Sequence, residues 1–400
     1  MIWRNTSDRL RGKPLRVLGI MSGTSLDGVD YALCDVSENG VKLRSLWTVE
    51  FPRTLRERLH ATARGVANAW ELGQLQHVLG RFYAAGATAK PSRDKPQLVG
   101  LHGQTVFHNP NPKDPATLQL GEPAYLVETL RVPVVSNFRA ADIAAGGQGA
   151  PLATIFHQVA FGRRGRHVCV NNLGGISNVT SLDLRKGAAP RVLAFDTGPA
   201  NVLLDMAARH FSDGRLQSDQ NGAWAAQGRA NERLLDGWLQ HPFFEQPPPK
   251  STGREMFGER FFTRTLAELT RARATKFDAL ATFTEFTARS IARNYSLHLP
   301  APPDDVVLTG GGAANPVLVE SIRARLNAER GTRNAEQDQN LLASAATRVV
   351  TSEALDWPVQ AIEAAAFALL AWLRVNELPG NIPATTGAKR AVLCGQISEP

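Results

Sequence analysis

The sequence predicts an α/β fold in which two domains of similar design flank a central cleft. A chain of 400 residues is too long for one ordinary hydrophobic core and suits two domains. Two segments, residues 17–36 and 167–180, share one plan: a strand, a small glycine-rich polar turn and a second strand. Segments with helical spacing follow each of them. Two halves that hold one ligand between them would need such a duplicated hairpin.

The first half alternates predicted strands and helices. Three consecutive strands are predicted over residues 16–51. The elements predicted after them are helices within residues 53–90, a strand at Leu98–Leu101, a loop at residues 109–115, a short strand, a helix from about Pro123 and a strand at Val132–Val135.

The second half repeats the alternation with longer helices. The predicted elements are a strand at His167–Val170, helices in residues 199–239 and 275–299, strands at Asp305–Leu308 and Arg348–Thr351, and an alanine-rich helix at Val359–Val375. The polar segment at residues 327–340 is expected to be a surface loop or a frayed helix extension.

Composition narrows the class of protein. Hydrophobic residues make up 43% and charged residues 20%, as in globular proteins. The chain has no run of about 18 apolar residues and its N-terminus has no secretory signal, so we expect a cytoplasmic protein that does not enter a membrane. The net charge of +8 comes from scattered arginines and favours anionic small molecules over nucleic acid. Three distant cysteines indicate neither a zinc site nor disulfides.

The tip of the first polar hairpin could hold a phosphate. Its residues are Gly23, Thr24, Ser25, Leu26, Asp27, Gly28, Val29 and Asp30. Glycine lets the backbone approach a ligand closely, and N–H groups in such a turn bind anions. The spacing is that of neither a Walker loop nor a dinucleotide-binding loop. The alternative is that the tip only turns the chain.

Glycine-centred turns follow four predicted strands, at residues 23–28, 174–175, 198 and 310–312. Ligands of α/β proteins collect at the carboxyl ends of strands. Four such turns in one chain indicate a nucleotide held between two similar halves. The alternative is four ordinary turns.

Asp196 follows an apolar run and precedes Pro199, which suits the first turn of a helix. The carboxylate could therefore cap that helix. It could equally act as a general base in a cleft.

Other candidate residues also allow two interpretations. His102 and Gln104 follow the short strand of the first half, where a histidine can be structural or functional. Glu363 lies in an alanine-rich helix and faces either water or a cleft, where it could bind sugar hydroxyls. The basic loop at residues 250–255 faces an anion or forms a solvated turn.

The order of the motifs resembles one family over nearly the whole chain, from about Leu15 to Gly387. The motifs are MSGTSLDGVD, GLHGQTV, FRAADIAAGGQGAPL, NLGGISN, FDTGPAN, KSTGRE, TEFTARSIA and GGGAANP. This set resembles the anhydro-N-acetylmuramic acid kinases. The resemblance implies an actin-like fold of the hexokinase and Hsp70 type, with two lobes around a cleft. It also implies ATP-dependent phosphorylation of 1,6-anhydro-N-acetylmuramic acid, with opening of its ring by water, in peptidoglycan recycling.

The resemblance also implies roles for single residues. Asp196 matches the catalytic aspartate. Residues 23–30 match the first phosphate loop. The residues that match the rest of the ATP site are Asn172, Gly174, Gly175, Gly310, Gly311 and Gly312. His102, Gln104 and Glu363 match positions that bind the sugar. Mg²⁺ is expected with ATP, but no metal ligand can be named.

The chain departs from the family pattern at Asn137, Ala200 and Ala314, where Asp, Gly and His are usual. Ala314 puts one nucleotide contact in question. We expect an extension at residues 1–14, a first lobe at 15–135 on which residues 359–400 pack, and a second lobe at 136–358.

Two other functions stay open from the residues alone. The first is an actin-like ATPase or binding module without sugar kinase activity. The second is a glycoside hydrolase, which would need two carboxylates beside the scissile bond. The expected partner is a small anhydro amino sugar, and the chain could form a homodimer.

Overall fold

The computed structural model describes residues 10–400 except Thr24, residues 91–93, Pro110, Pro112, residues 186–190 and residues 338–345. Its strands are β1 (Leu15–Ser22), β2 (Gly28–Ser37), β3 (Gly40–Glu50), β4 (Leu98–Asn109), β5 (Ala116–Leu120), β6 (Val134–Ser136), β7 (His167–Leu173), β8 (Ile176–Asp183), β9 (Arg191–Pro199), β10 (Asp305–Thr309), β11 (Arg348–Thr351) and β12 (Gln396–Ser398).

Helices occupy most of the remaining described chain. They are α1 (Arg53–Ala63), α2 (Ala69–Thr88), α3 (Ala124–Leu130), α4 (Ala140–Ala144), α5 (Thr154–Phe161), α6 (Asn201–Phe211), α7 (Glu232–Trp238), α8 (Arg254–Phe257), α9 (Glu259–Arg271), α10 (Lys276–His298), α11 (Pro316–Gln337), α12 (Val359–Val375) and α13 (Pro383–Thr386). Short 3₁₀ turns include Gln220–Gly222 and Gly311–Ala314.

The chain forms two compact units. The first contains Met1–Ala160 and Gln360–Pro400, and the second contains Phe161–Val359. Residues 136–160 thus pack with the first unit. The lobe boundaries expected from the sequence stay a prediction.

The sheet of the first unit has the order β12-β6-β4-β1-β2-β3, with β5 paired to β4. The first three strands form an antiparallel meander, while β4 runs parallel to both β1 and β6. Because side chains alternate along a strand, Leu18 and Ile20 of β1 join the core that contains residues of α1 and α2.

The glycines of β1 and β4 allow α12 to lie directly on the sheet. Gly19 and Gly100 are register partners. A Cβ at position 19 would collide with the carbonyl oxygen of Ala364, and one at position 100 with that of Phe367. The alanines of α12 are buried by the same close approach. This packing fixes where Glu363 lies along the sheet.

The sheet of the second unit repeats the plan. Its order is β11-β10-β7-β8-β9, with an antiparallel β7-β8-β9 meander and β10 parallel to β7 and β11. Phe195, Val306 and residues of α6, α10 and α11 share one core. The repeated order confirms the predicted α/β fold with two similar halves and agrees with an actin-like fold.

Three predictions about local structure are wrong. The strand predicted to end at Leu101 continues to Asn109 as β4, because β5 provides a further hydrogen-bonding partner. Pro199 closes β9 and does not start a helix. Within residues 199–239, the part between α6 and α7 is irregular, and Asp219 holds its turns by accepting the N–H groups of Trp224 and Ala225.

Other predictions are confirmed. The strand Arg348–Thr351 and the helix Val359–Val375 have the predicted bounds. Cys34 and Cys169 are buried. The segment at residues 327–340 continues α11 as far as Gln337, and its last residues lie outside the described chain. Among the described residues, no helix combines the length and apolar character needed to span a membrane.

Candidate active site

The first hairpin tip is anchored from behind by β4. The side-chain amide of Gln104 donates to the carbonyl oxygen of Gly23 at 3.0 Å. Within the tip, the hydroxyl of Ser25 donates to Asp27 at 2.8 Å, and Leu26 adopts a left-handed φ of 59°. Thr24 lies outside the described residues. The tip is therefore a fixed, polar turn.

Gly23 and Gly28, at the two ends of this tip, differ in the space around them. A Cβ at Gly28 would lie 2.8 Å from the carbonyl oxygen of Val49, so the fold itself requires glycine there. A Cβ at Gly23 would meet only Ser25 Oγ, at 3.7 Å. Neighbouring atoms therefore leave room for a side chain at Gly23, and its glycine leaves the backbone open to a ligand.

We expect Gly23→Val to keep the stability of the protein and to weaken ATP binding, because the branched side chain would occupy the space over the tip. Thermal unfolding and nucleotide titration measure the two effects. Gly28→Ala is the matched comparison and should destabilise the fold by about 1–3 kcal/mol through overpacking. Unchanged ATP affinity in folded Gly23→Val would show that the tip only turns the chain.

The second hairpin tip is docked on the start of α6. The carbonyl oxygen of Gly174 accepts the N–H of Asn201 at 3.0 Å, and that of Gly175 accepts the N–H groups of Ala200 and Val202. Gly174 and Gly175 again have no heavy atom closer than 3.5 Å to an added Cβ. The space that a side chain would occupy at these two glycines is therefore free of close neighbouring atoms.

The glycine turn at residues 310–312 borders a cavity. Gly310 has a φ of 78° and begins the turn after β10. Asn315 then caps α11 by accepting the N–H groups of Val317 and Leu318 at 3.1 Å. A cavity of about 360 Å³ lies beside the turn, lined by Gly311, Ala314 and Asn315 among others. Its volume suits a small molecule.

Asp196 is held by the loop at residues 250–255. Its Oδ2 accepts the N–H of Thr252 at 2.8 Å, and its own N–H donates to the carbonyl oxygen of Lys250 at 3.1 Å. Within the described residues, its Oδ1 accepts no hydrogen bond. The interpretation of Asp196 as a cap of α6 is wrong, because Ala200 precedes that helix and no side chain caps it.

The surroundings of Asp196 suit a general base. The pKa of its carboxyl is raised to about 6, mainly by burial and also by the negative charge of Glu255, while the Thr252 N–H and the positive charge of Lys250 lower it. A base with a pKa near 6 is largely ionised at neutral pH yet basic enough to accept a proton.

The side chain of Lys250 is buried, so this residue does not lie in a solvated turn, and whether the loop faces an anion stays a prediction. Its ammonium donates to the carbonyl oxygens of Phe243 and Phe244 at 3.1 and 3.2 Å and lies 3.1 Å from Nε2 of His298. Burial lowers its pKa to about 8. These contacts anchor the loop that positions Asp196.

A second polar group lies in the first unit. Arg139 donates to His102 Nε2 at 2.9 Å and to the carbonyl oxygen of Gly149 at 2.6 Å. Burial and this guanidinium lower the pKa of His102, so the imidazole is neutral and its Nδ1 carries the proton. Among the described residues, the buried atoms His102 Nδ1 and Gln104 Oε1 have no hydrogen-bond partner.

Glu363 is electrostatically coupled to this group. Its side chain is accessible, yet the surrounding protein removes part of its hydration, and this desolvation raises the pKa of its carboxyl. The positive charge of Arg139 lowers that pKa, and the negative charge of Asp30 raises it. Sequence reasoning did not select Arg139, although it lies in the FRAADIAAGGQGAPL motif. The signal that could have identified Arg139 was its place in that motif, directly after Phe138 and three residues before the acidic residue Asp142.

In the described part of the chain, no three His, Cys, Asp or Glu residues are grouped so that they could hold a metal ion. The accessible carboxylate of Asp27 uses one oxygen for Ser25. Mg²⁺ commonly needs only one or two carboxylates when substrate phosphates supply the other ligands. The residues therefore fit a magnesium ion that arrives with a nucleotide.

Comparison with known proteins gives consistent matches. The sequence model described as anhydro-N-acetylmuramic acid kinase matches residues 15–400. Proteins of that name from Acaryochloris marina and a Picosynechococcus species are 39% and 40% identical to this chain. The matches cover 96% of this chain in both cases, and 99% and 100% of the relatives.

Solved structures with lower similarity also match. One is an activator of 2-hydroxyisocaproyl-CoA dehydratase from Clostridium difficile with bound ADPNP. It is 13% identical, with a TM-score of 0.42, and the match covers 91% of this chain and 96% of that one. Another is a ROK family glucokinase from Streptomyces griseus, 16% identical, with a TM-score of 0.38 and coverage of 88% and 97%.

Proposed function

Because the chain belongs to the anhydro-N-acetylmuramic acid kinase family, we propose that it phosphorylates 1,6-anhydro-N-acetylmuramic acid with ATP, as a phosphotransferase of cell-wall recycling. The observation that carries the mechanism is Asp196, a half-buried carboxylate with a pKa raised to about 6. One of its oxygens accepts no hydrogen bond from the described residues.

The reaction needs one base and no second carboxylate. Asp196 takes a proton from water, whose oxygen attacks the anomeric carbon. The bond from that carbon to O6 breaks, and O6 attacks the γ-phosphorus of ATP. The products are N-acetylmuramic acid 6-phosphate and ADP. Thr252 and the Lys250 carbonyl keep the base in one orientation during this step.

In each unit, the hairpin tip would bind phosphate through its backbone N–H groups. The residues are 23–30 in the first unit, and Asn172, Gly174 and Gly175 in the second. The turn at residues 310–312 would border the adenosine. Mg²⁺ bound to the phosphates, with Asp27 as an available ligand, would neutralise their negative charge. The ion and its ligand remain part of the proposal.

The sugar would be bound by His102, Gln104 and Glu363. The buried atoms His102 Nδ1 and Gln104 Oε1 have no partner in the described chain, and a sugar hydroxyl could supply one to each. Arg139 keeps His102 neutral and in the tautomer that can donate. A cytoplasmic location and a homodimer are also part of this proposal.

The direct test is incubation with ATP and the anhydro sugar, with plain N-acetylmuramic acid as the comparison. Mass spectrometry should find a phosphorylated product that has gained one water. An actin-like ATPase without kinase activity is not favoured. It would hydrolyse ATP at the same rate with and without the anhydro sugar and would give no phosphorylated sugar.

The rate should depend on pH through Asp196. The base acts in its ionised form, so activity is present above its pKa of about 6 and is lost as the pH falls through that value. Below it, kcat/KM should fall about tenfold per pH unit. Lys250→Met removes a nearby positive charge and should move the midpoint upward, whereas Lys90→Met, in the first unit, should not. A flat profile from pH 8 to 5 would contradict the assignment.

A further inference from the structure

One wall of the cavity in the second unit carries a carboxylate that the proposed reaction does not use. Asn201 and Asp205 of α6 line this cavity together with Gly311 and Asn315. They are four residues apart, so they lie on the same face of the helix, about 6 Å from each other along its axis.

The Asp205 carboxylate has no partner within the part of the chain that the structure describes. It is half-buried, and among the described residues it accepts no hydrogen bond and forms no ion pair. Burial raises its pKa, while Arg209 and Arg254 oppose the rise from a distance. A partly desolvated carboxylate without hydrogen-bond donors lowers the stability of the folded protein. Its presence in a cavity therefore indicates that a ligand's hydroxyl or amino group could donate to it.

The start of α6 fixes the distance from this carboxylate to the second hairpin tip at Gly174 and Gly175. Asn201 donates from its backbone to Gly174 and from Nδ2 to the carbonyl oxygen of Leu173 at 2.9 Å. In a nucleotide whose phosphates lie at Gly174 and Gly175, the ribose is the group bonded directly to the phosphates, so it lies close to this tip. One helical turn beyond Asn201 along the cavity wall is Asp205.

We propose that Asp205 binds the ribose of the nucleotide by accepting hydrogen bonds from its 2′- and 3′-hydroxyl groups. This inference rests on the proposed function, since it places ATP in this cavity. A carboxylate is suited to a vicinal diol because its two oxygens can each accept one hydroxyl. Asp205 would thus select ribonucleotides over deoxyribonucleotides.

The test compares ATP with 2′-deoxy-ATP and 3′-deoxy-ATP in the full-length protein, by direct titration and by kcat/KM. A hydrogen bond to a charged group is worth at least about tenfold in affinity, so the wild type should prefer ATP by that factor over at least one analogue. Asp205→Ala should reduce the preference to about twofold or less. Removal of a negative charge should raise the affinity for all three nucleotides alike. The ratio of the affinities for ATP and its analogues is therefore not changed by this effect.

Two further variants make the result interpretable. Asp205→Asn keeps the shape of the side chain and should show an intermediate preference, which covers the case that Asp205→Ala does not fold. Asp213→Ala removes a largely exposed carboxylate just after α6 and should keep the full preference.

The inference is overturned if the wild type binds ATP and both analogues equally, or if folded Asp205 variants keep the wild-type ratio. The titration does not require catalysis. A protein that selects ATP through Asp205 but phosphorylates no anhydro sugar would therefore contradict the proposed function and support the ribose contact.

Discussion

Asp196→Asn should lower turnover by at least about 100-fold, the low end of general base catalysis. The amide keeps the size of the side chain, and its oxygen can still accept the N–H of Thr252, so the loop at residues 250–255 should stay in place. What disappears is the basicity needed to deprotonate the attacking water. We expect stability to change by less than about 1 kcal/mol.

Single-turnover kinetics with the anhydro sugar measures the effect, and nucleotide titration shows that ATP still binds. Asp213→Asn, at a largely exposed carboxylate, is the control and should keep wild-type turnover. A stable Asp196→Asn variant with near-normal turnover would remove this residue from the mechanism and leave the base unidentified.

Gly19→Ala should have the largest effect on stability. Its methyl group would collide with the main-chain oxygen and carbon of Ala364, and neither a helix carbonyl nor a central strand can move easily. Helix α12 would have to lift from the sheet, together with Glu363. We expect a loss of about 3 kcal/mol or more in the free energy of unfolding, and weaker sugar binding in any folded fraction.

Urea unfolding followed by circular dichroism measures this loss. Gly73→Ala is the matched control, since Gly73 lies in α2 with no heavy atom within 4 Å of an added Cβ. There alanine should stabilise the protein by about 0.5–1 kcal/mol, because glycine is costly within a helix. Equal stability of Gly19→Ala and the wild type would show that α12 does not contact the sheet as described.

Local pattern was enough to predict much of the fold. The apolar alternation of residues 16–51 predicts three strands, which are present as β1, β2 and β3. The run from Val359 to Val375 predicts one helix with the observed bounds. These elements follow from neighbouring residues, because strand alternation and helical spacing are local properties of the chain.

The end of β4 could not be predicted in the same way. Gly103 and Gln104 interrupt the apolar run, so the pattern predicts a strand that ends at Leu101. Pairing with β5 extends it to Asn109 and places His102 and Gln104 inside the sheet. Partners distant in sequence decided this boundary, as is usual for strands.

The sequence by itself determined which residue types are available: the glycine turns, the carboxylate Asp196 at the end of an apolar run, and the family to which their order belongs. Only the tertiary structure decided what each of them touches. Thr252, 56 residues from Asp196, donates to its carboxylate, and Arg139, 37 residues from His102, sets its tautomer. Such contacts depend on how sheets and helices pack, so they are absent from any local pattern. The same packing buries Asp196, and this burial raises the pKa of its carboxyl.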